Sequence, residues 1–207
     1  MSDTTSLRDH WETIYQTKNL STVGWHQPVP QVSLDLIDDL PLTSDARIID
    51  IGGGDSRLTD HLLSLGFTNL SVLDISTTAI QKAKKRLGLL AQEVEWIVSD
   101  IRDFEPTQSI DVWHDRASFH FLLREEEISS YVEKVKQAVH QNGYLILGTF
   151  SERGPSTCSG LKVRQYSKDQ LIKLFSPAFE PLHCFHTDHV TPGGVNQNYI
   201  FCVFKRM

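Results

Sequence analysis

Residues 47–58 combine three signals that occur together at the start of a parallel sheet. An apolar run ends in Asp50, and Gly52, Gly53 and Gly54 follow it before a helical pattern begins. Glycines let the backbone turn sharply and approach a ligand where a Cβ would collide. The helix that follows points its free N–H groups at that ligand. The segment therefore predicts a strand, a nucleotide-binding turn and a helix.

Two later apolar runs also end in an acid. Asp74 closes the run at residues 70–74, about 20 residues after the turn, where an acid can accept from both ribose hydroxyls. Asp100 closes the third run, where it can accept from an adenine amino group while Ile101 covers the ring. Asp50 would repel a pyrophosphate, but it can hold the amino end of a methionine moiety. The three acids therefore favour a sulfonium cofactor.

With these motifs the chain resembles the class I S-adenosylmethionine-dependent methyltransferases. The successive motifs of that family match residues 50–54, Asp74 with Ile75, and residues 99–101, and the resemblance is good over residues 45–150. It implies an α/β fold, a Rossmann-like three-layer sandwich with a seven-stranded, mostly parallel sheet and an antiparallel C-terminal hairpin. It also implies S-adenosyl-L-methionine as the cofactor.

A second set of motifs is similar to a group of small bacterial methyltransferases. It comprises Trp11-x-x-x-Tyr15, Gly-Trp-His-Gln-Pro at residues 24–28, Cys-Ser-Gly-Leu at residues 158–161 and Arg-x-Tyr at residues 164–166. This similarity spans nearly the whole chain, but it supplies no acceptor.

Hydrophobic periodicity predicts an alternation of strands and helices, which indicates parallel strands with crossover helices. Strands are predicted near 46–51, 69–74, 94–99, 109–114 and 143–150, with helices near 31–40, 57–66, 76–87, 125–140 and 167–175 and a hairpin at 180–204. Asn142 and Gly143 are predicted to end the helix that begins after Arg124. A single domain is expected over 1–207: a helical lid (1–40), a cofactor-binding core (45–150), and an acceptor-side loop with the hairpin (151–207).

The segment before the core is rich in aromatic residues. Trp11, Tyr15 and Trp25 can shield a sulfonium and attract it by a cation–π contact of about 0.5–2 kcal/mol. His26 and Gln27 can meet the acceptor or the carboxylate of the cofactor. The same aromatics can instead anchor an N-terminal helix to the core, and the sequence leaves both interpretations open.

Methyl transfer asks mainly for positioning and desolvation, so the sequence need not contain an obvious catalytic residue. The best candidates follow the fourth predicted strand, at the sheet edge where ligands of open α/β sheets lie. Asp115 and Arg116 can orient cofactor or acceptor, and His120 can act as a base near neutral pH. Alternatively, Asp115 and Arg116 form a surface pair and His120 lies in the core.

The amino-acid composition limits the classes of partner that this chain is expected to bind. The 20 basic and 26 acidic residues give a net charge of −6 without a long basic run, so nucleic acid is not expected to bind. No membrane-spanning run or leader pattern is found, and the three widely spaced cysteines argue against a disulfide scaffold, so a cytoplasmic protein is expected. No metal is expected, because Cys184 and His186 would face away from His183 and His189 on a strand.

The leading hypothesis is a methyltransferase that acts on a small-molecule acceptor. A methyltransferase for protein lysine or other side chains is the first alternative, because members of the superfamily with that activity are similar in size. An NAD-binding reductase is an alternative from another class of protein. This chain, however, lacks the Tyr-x-x-x-Lys pair of such reductases and has Arg57 in place of the third glycine. A non-catalytic cofactor-binding module would bind the cofactor without turnover.

Overall fold

The structure, a computed structural model, describes residues 3–207, with side chains from residue 6 onward. The helices are α1 (Asp3–Thr17), α2 (Gln31–Asp38), α3 (Leu58–Ser64), α4 (Thr77–Leu87), α5 (Glu125–Ala138) and α6 (Lys168–Phe175). The strands are β1 (Arg47–Ile51), β2 (Asn69–Asp74), β3 (Val94–Val98), β4 (Ile110–Arg116), β5 (Val139–Phe150), β6 (Thr157–Cys158), β7 (Leu161–Lys162), β8 (Phe179–Val190) and β9 (Asn196–Arg206). Single 3-10 turns lie at Leu20–Thr22, Gly88–Glu93 and Phe119–Phe121.

Seven strands form one sheet in the order β3-β2-β1-β4-β5-β9-β8. The pairs from β3 to β5 are parallel, and β9 runs antiparallel to both β5 and β8. The fold predicted from the sequence is therefore confirmed, including the hairpin that closes the sheet. The strand order reverses between β1 and β4, which is the place where open α/β sheets bind their ligands.

Side chains alternate between the two faces of the sheet, as the strand period requires. On β1 and β4, Ile49 and Trp113 pack in the cluster under α5 and α6, whereas Ile48 and Val112 pack in the cluster under α2, α3 and α4. Each fully buried side chain of this size contributes about 1.5–3 kcal/mol to folding. The two clusters make the three layers of the sandwich, and the alternation decides which polar side chains at the strand ends meet.

Local sequence explains where α4 begins and ends. The Ser76 hydroxyl accepts from the Ala79 amide at 3.1 Å, and Gly88 follows the helix with φ 60°. These are the expected N-cap and C-terminal glycine. The last turn also contains Lys84, Lys85 and Arg86, whose charges favour the C-terminal end of the helix dipole.

Two local predictions were wrong. Helix α5 ends at Ala138, because Val139 already pairs with Ile110 of β4 and tertiary pairing overrides the helical pattern. Asn142, with φ 72°, lies inside β5 where the register shifts, so it does not end the helix. Cys184 and Cys202 are directly paired on β8 and β9 and form a disulfide, which the wide sequence spacing argued against. Spacing along the chain does not reveal a cross-strand neighbour.

Within the described residues, no helix is long and apolar enough to cross a membrane.

Candidate functional site

A cleft of about 1340 Å³, measured to its open mouth, lies at the carboxyl ends of β1, β2 and β4. Helix α1 and the segment before α2 cover it. The predicted site residues on its wall are Trp25, Asp50, Gly52, Gly53, Asp74, Ile75, Asp100 and Ile101. Gly54 lies just behind the wall, where a Cβ would fall 2.5 Å from Tyr15 Oη and 2.7 Å from Asp74 Oδ2. The cleft combines apolar and aromatic lining with a few polar groups, which is typical of a ligand-binding site.

The turn after β1 needs its glycines. Gly52 and Gly54 have φ 65° and 45°, in the left-handed region that side chains disfavour. At Gly53 a Cβ would lie 2.5 Å from Asp50 Oδ2. The Gly52 amide donates to the Leu73 carbonyl at 2.7 Å, which ties the turn to β2. The backbone can therefore approach a bound ligand closely here.

Asp50 belongs to a buried chain of hydrogen bonds that sequence reasoning missed. His114 Nδ1 lies 2.7 Å from Asp50 Oδ1, and His114 Nε2 lies 2.9 Å from the Ser33 hydroxyl. Asp50, His114 and Ser33 are 5%, 2% and 1% exposed, respectively. The other carboxylate oxygen, Asp50 Oδ2, is buried with no hydrogen-bond partner in the described part of the chain. It is thus oriented and left available for a donor in the cleft.

Asp74 lies at the end of β2, on the same face of the sheet as Asp50. Its Oδ1 accepts from the Ser76 amide at 2.8 Å. Burial raises the pKa of Asp74 to about 7; the Ser76 bond opposes this rise, while the charges of Asp50 and Glu12 add to it. A ligand that donates hydrogen bonds to this carboxylate would offset the free-energy cost of burying its negative charge.

Asp100 is buried but already has a cationic partner. Both of its carboxylate oxygens bind the Arg102 guanidinium, at 2.6 Å for the shortest contact, and Arg102 also binds Glu127. The hydrogen bonds that Arg102 donates to Asp100 are the main cause of the raised pKa of Arg102. Asp100 therefore faces the cleft as a neutralised pair, with Ile101 beside it on the wall.

The lid is fastened to the core at two helix ends. The Glu12 carboxylate accepts from the Thr77 and Thr78 amides at the start of α4, at 2.5 Å for the shortest contact. In return, Lys82 donates to the Tyr15 carbonyl near the end of α1 at 2.6 Å. A carboxylate at a helix N-terminus and an ammonium at a helix C-terminus both suit the helix dipole.

Aromatic rings close the lid above the cleft. The Trp11 ring lies 5.7 Å from Trp25 and 5.3 Å from Phe121, both edge-on, and Tyr15 lies 6.4 Å from Trp25. Tyr15 is buried, and burial raises the pKa of its hydroxyl well above the usual value. The lid thus excludes water while presenting π faces and one neutral hydroxyl.

The comparisons agree with this geometry. Residues 49–145 match a family model described as a methyltransferase domain. The chain is 27% identical over 176 residues to EEF1A lysine methyltransferase 2 of Danio rerio, covering 80% of this chain and 68% of that protein. The chain is an S-adenosylmethionine-dependent methyltransferase. The reductase alternative has no support.

Solved structures share the fold. A methyltransferase from Anabaena variabilis superimposes with a TM-score of 0.77 at 18% identity, covering 100% of this chain and 96% of that one. The N-methyltransferase NodS of Bradyrhizobium japonicum, solved with S-adenosyl-L-homocysteine, gives a TM-score of 0.70 at 15% identity, with 99% of each chain covered.

The methyltransferase does not have its two predicted catalytic residues on the cleft wall. Asp115 is fully buried and accepts from the Ser118 and Phe119 amides at 2.9 and 3.1 Å and from the Tyr131 hydroxyl at 2.7 Å. Burial raises its pKa to about 6, and the Tyr131 and amide bonds oppose the rise. The reason for the error is strand alternation, because Asp115 points to the α5 face while His114 and Arg116 point to the cleft.

His120 is likewise enclosed by protein. Its ring lies 4.5 Å from the Phe150 ring, and its Nδ1 is 3.4 Å from the Phe150 amide. Burial and, after it, the charge of Arg116 together lower its pKa to about 3. A fully buried neutral imidazole off the cleft wall has no path for accepting a proton from an acceptor, so the prediction of a base at this position is not supported.

His114 was detectable from the sequence once the parallel pairing was known. In the register of β1 and β4, His114 stands directly beside Asp50. Neighbouring positions on paired strands share a face of the sheet, so the two side chains must meet. Glu12 and Ser33 carried no comparable sequence signal, because their partners lie on distant elements.

No group of three or more His, Cys, Asp or Glu side chains in the described part of the chain is arranged to hold a metal ion.

Proposed function

We propose that this methyltransferase transfers a methyl group from S-adenosylmethionine to a small molecule enclosed beneath the lid. In this proposal residues 1–40 form the lid, 45–150 bind the cofactor, and 151–207 complete the acceptor side. The observation that supports this proposal is the structure of the cleft. Aromatic rings cover it, and two contacts between α1 and α4 hold this cover in place. An enclosed cleft accommodates a small acceptor better than a protein chain.

The ribose and adenine would bind at β2 and β3. We propose that Asp74 accepts from the two ribose hydroxyls and that Ile75 and Ile101 cover the adenine ring. Asp100 would accept from the adenine amino group through a carboxylate lone pair that Arg102 leaves free. Arg102 holds this carboxylate in a fixed orientation.

The methionine moiety would bind at the turn after β1. Asp50 Oδ2, the buried oxygen without a partner, would accept from the ammonium of the cofactor. His114 donates to the other oxygen of that carboxylate, and Ser33 in turn holds the far nitrogen of His114. The chain of three side chains therefore positions the carboxylate that receives the cofactor. Gly52 and Gly53 let the backbone come close to the same moiety.

The bound cofactor supplies an activated methyl group on a positively charged sulfur. The protein contributes position and a dry surrounding, which are the main requirements of an in-line displacement. Trp25 and Tyr15 cover the sulfonium, and Phe121 closes the lid on Trp11. His26 on the cleft wall can take a proton from the acceptor, since burial and then the Arg57 charge lower the pKa of its ring and keep it neutral near pH 7.

A lysine side chain of a protein is the second candidate acceptor. It is favoured by the relatedness to a protein named as a lysine methyltransferase of EEF1A. Two features of the cleft speak against it: aromatic rings cover part of the cleft, and Arg116 puts positive charge on the wall. A cationic acceptor would be repelled there.

A labelling experiment separates the two candidates. The protein is incubated with S-adenosylmethionine carrying a tritiated methyl group and with a cell extract split by ultrafiltration into small molecules and proteins. We expect label in the small-molecule fraction. Label in the protein fraction alone would establish the second candidate, and Asp74→Ala, which should lose cofactor binding, is the matched inactive control.

A further inference from the structure

Arg116 is a charged cleft residue that forms no ion pair with any residue the structure describes. One nitrogen, Nη1, donates to the Trp25 carbonyl at 3.2 Å, and the guanidinium lies 5.1 Å from the centre of the Tyr199 ring. The other, Nη2, is buried with no hydrogen-bond partner among the described residues. The ion pairs of the described chain include other arginines but not this one. A buried donor atom without an acceptor is costly, and an anionic ligand would satisfy it.

The charge of Arg116 shifts the pKa values of two residues that lie outside the group of cofactor acids. Burial lowers the pKa of His189, and Arg116 lowers it further. Burial raises the pKa of Cys158, whereas its bond with Ser159 and the Arg116 charge oppose the rise. Both residues belong to the acceptor side of the chain, after β5. The charges that act on Asp74 are those of Asp50 and Glu12.

Cys158 connects this region with the place of methyl transfer. It lies on the cleft wall, which Tyr15 also lines. Arg116 donates to the carbonyl of Trp25, whose ring contacts Trp11 and Tyr15, so Arg116 lies next to the aromatic roof. A ligand held at Arg116 can present an atom to the donor methyl group.

We infer that Arg116 binds an anionic group, a carboxylate or similar oxyanion, of the small acceptor and so selects acceptors of negative charge. The inference rests on the proposed function and names the class of its acceptor. Arginine suits this task because its planar fork matches the oxygens of a carboxylate. The Trp25 carbonyl and the Tyr199 ring hold the guanidinium in place before the acceptor arrives.

Matched pairs of probes test the inference. The protein is saturated with S-adenosylhomocysteine, and its binding of a panel of small aryl and alkyl carboxylates is measured by calorimetry against the corresponding primary carboxamides. We expect several carboxylates to bind at least tenfold more tightly than their amides. Arg116→Gln should abolish that preference, Arg116→Lys should retain part of it, and neither should change the affinity for S-adenosylhomocysteine more than threefold.

The control variant is Arg153→Gln, because Arg153 is exposed on the loop after β5. It should keep the preference for carboxylates. Equal binding of acids and amides by the unaltered protein would overturn the inference. A tenfold loss of S-adenosylhomocysteine affinity in Arg116→Gln would also overturn it, since Arg116 would then bind the cofactor carboxylate. Failure of the unaltered protein to bind S-adenosylhomocysteine at all would instead refute the proposed cofactor site.

Discussion

Cofactor affinity should depend on pH through Asp74. Burial raises the pKa of this carboxyl to about 7, so it is largely protonated at pH 6 and largely ionised at pH 8. The ribose hydroxyls donate hydrogen bonds, and the ionised carboxylate accepts them better than the acid. Because binding selects the ionised form, affinity should rise with pH and a proton should be released.

The size of the effect follows from the pKa. About one tenth of the carboxyl is ionised at pH 6 and about nine tenths at pH 8, so the dissociation constant should fall roughly tenfold, or about 1.4 kcal/mol. The assay is calorimetric titration with S-adenosylhomocysteine at pH 6, 7 and 8, in two buffers of different ionisation enthalpy. The heats should differ between buffers at pH 7, because a fraction of a proton leaves the protein.

Asp74→Asn is the matched control. The amide cannot ionise, so this variant should bind more weakly at pH 8 and show no tenfold change between pH 6 and pH 8. Other titrating groups, such as Asp115 with its pKa of about 6, remain in both proteins and cancel in the comparison. The same pH slope in both proteins would refute the reasoning, and equal affinities at pH 8 would refute the ribose assignment.

Three further predictions concern the polar contacts around the cleft. His114→Gln should weaken S-adenosylhomocysteine by about 1–2 kcal/mol while 5′-methylthioadenosine, which lacks the amino acid, binds as before; equal losses by calorimetry would contradict a role in holding Asp50. Glu12→Gln should cost about 0.5–1 kcal/mol in urea unfolding and speed cofactor release in stopped-flow mixing, since α4 loses its carboxylate cap; an unchanged release rate would contradict the lid fastening. Asp115→Ala should lower the free energy of unfolding in urea by about 3 kcal/mol, because the Tyr131 hydroxyl and two loop amides lose their acceptor. A fully stable variant that binds the cofactor but transfers no methyl group would instead identify Asp115 as a catalytic residue.

Sequence reasoning succeeded where a strand end determines the position of a side chain. Asp50, Asp74 and Asp100 close three adjacent parallel strands, and strands in that order must bring their ends to one edge of the sheet. All three acids accordingly line the cleft. The fold followed from the same alternation of strands and helices.

It failed where one position along a strand decides the face. Asp115 and His114 are neighbours in sequence, yet one bonds to Tyr131 beneath α5 and the other to Asp50 in the cleft. A shift of one residue exchanges the two faces, and the end of a strand cannot be read from the sequence to that accuracy. The disulfide between Cys184 and Cys202 was not predicted for a related reason, because its formation depends on the register of two strands.

The position of β9 has a consequence for how the chain assembles on the ribosome. This strand follows β8 in the sequence but lies between β5 and β8 in the sheet. Until it has been synthesised, β8 has no neighbour and the open side of β5 exposes its hydrogen-bonding groups to other chains. The nascent protein can thus pair β1 to β5 early, while β8 waits for the final strand, and chaperones would be most needed during that interval.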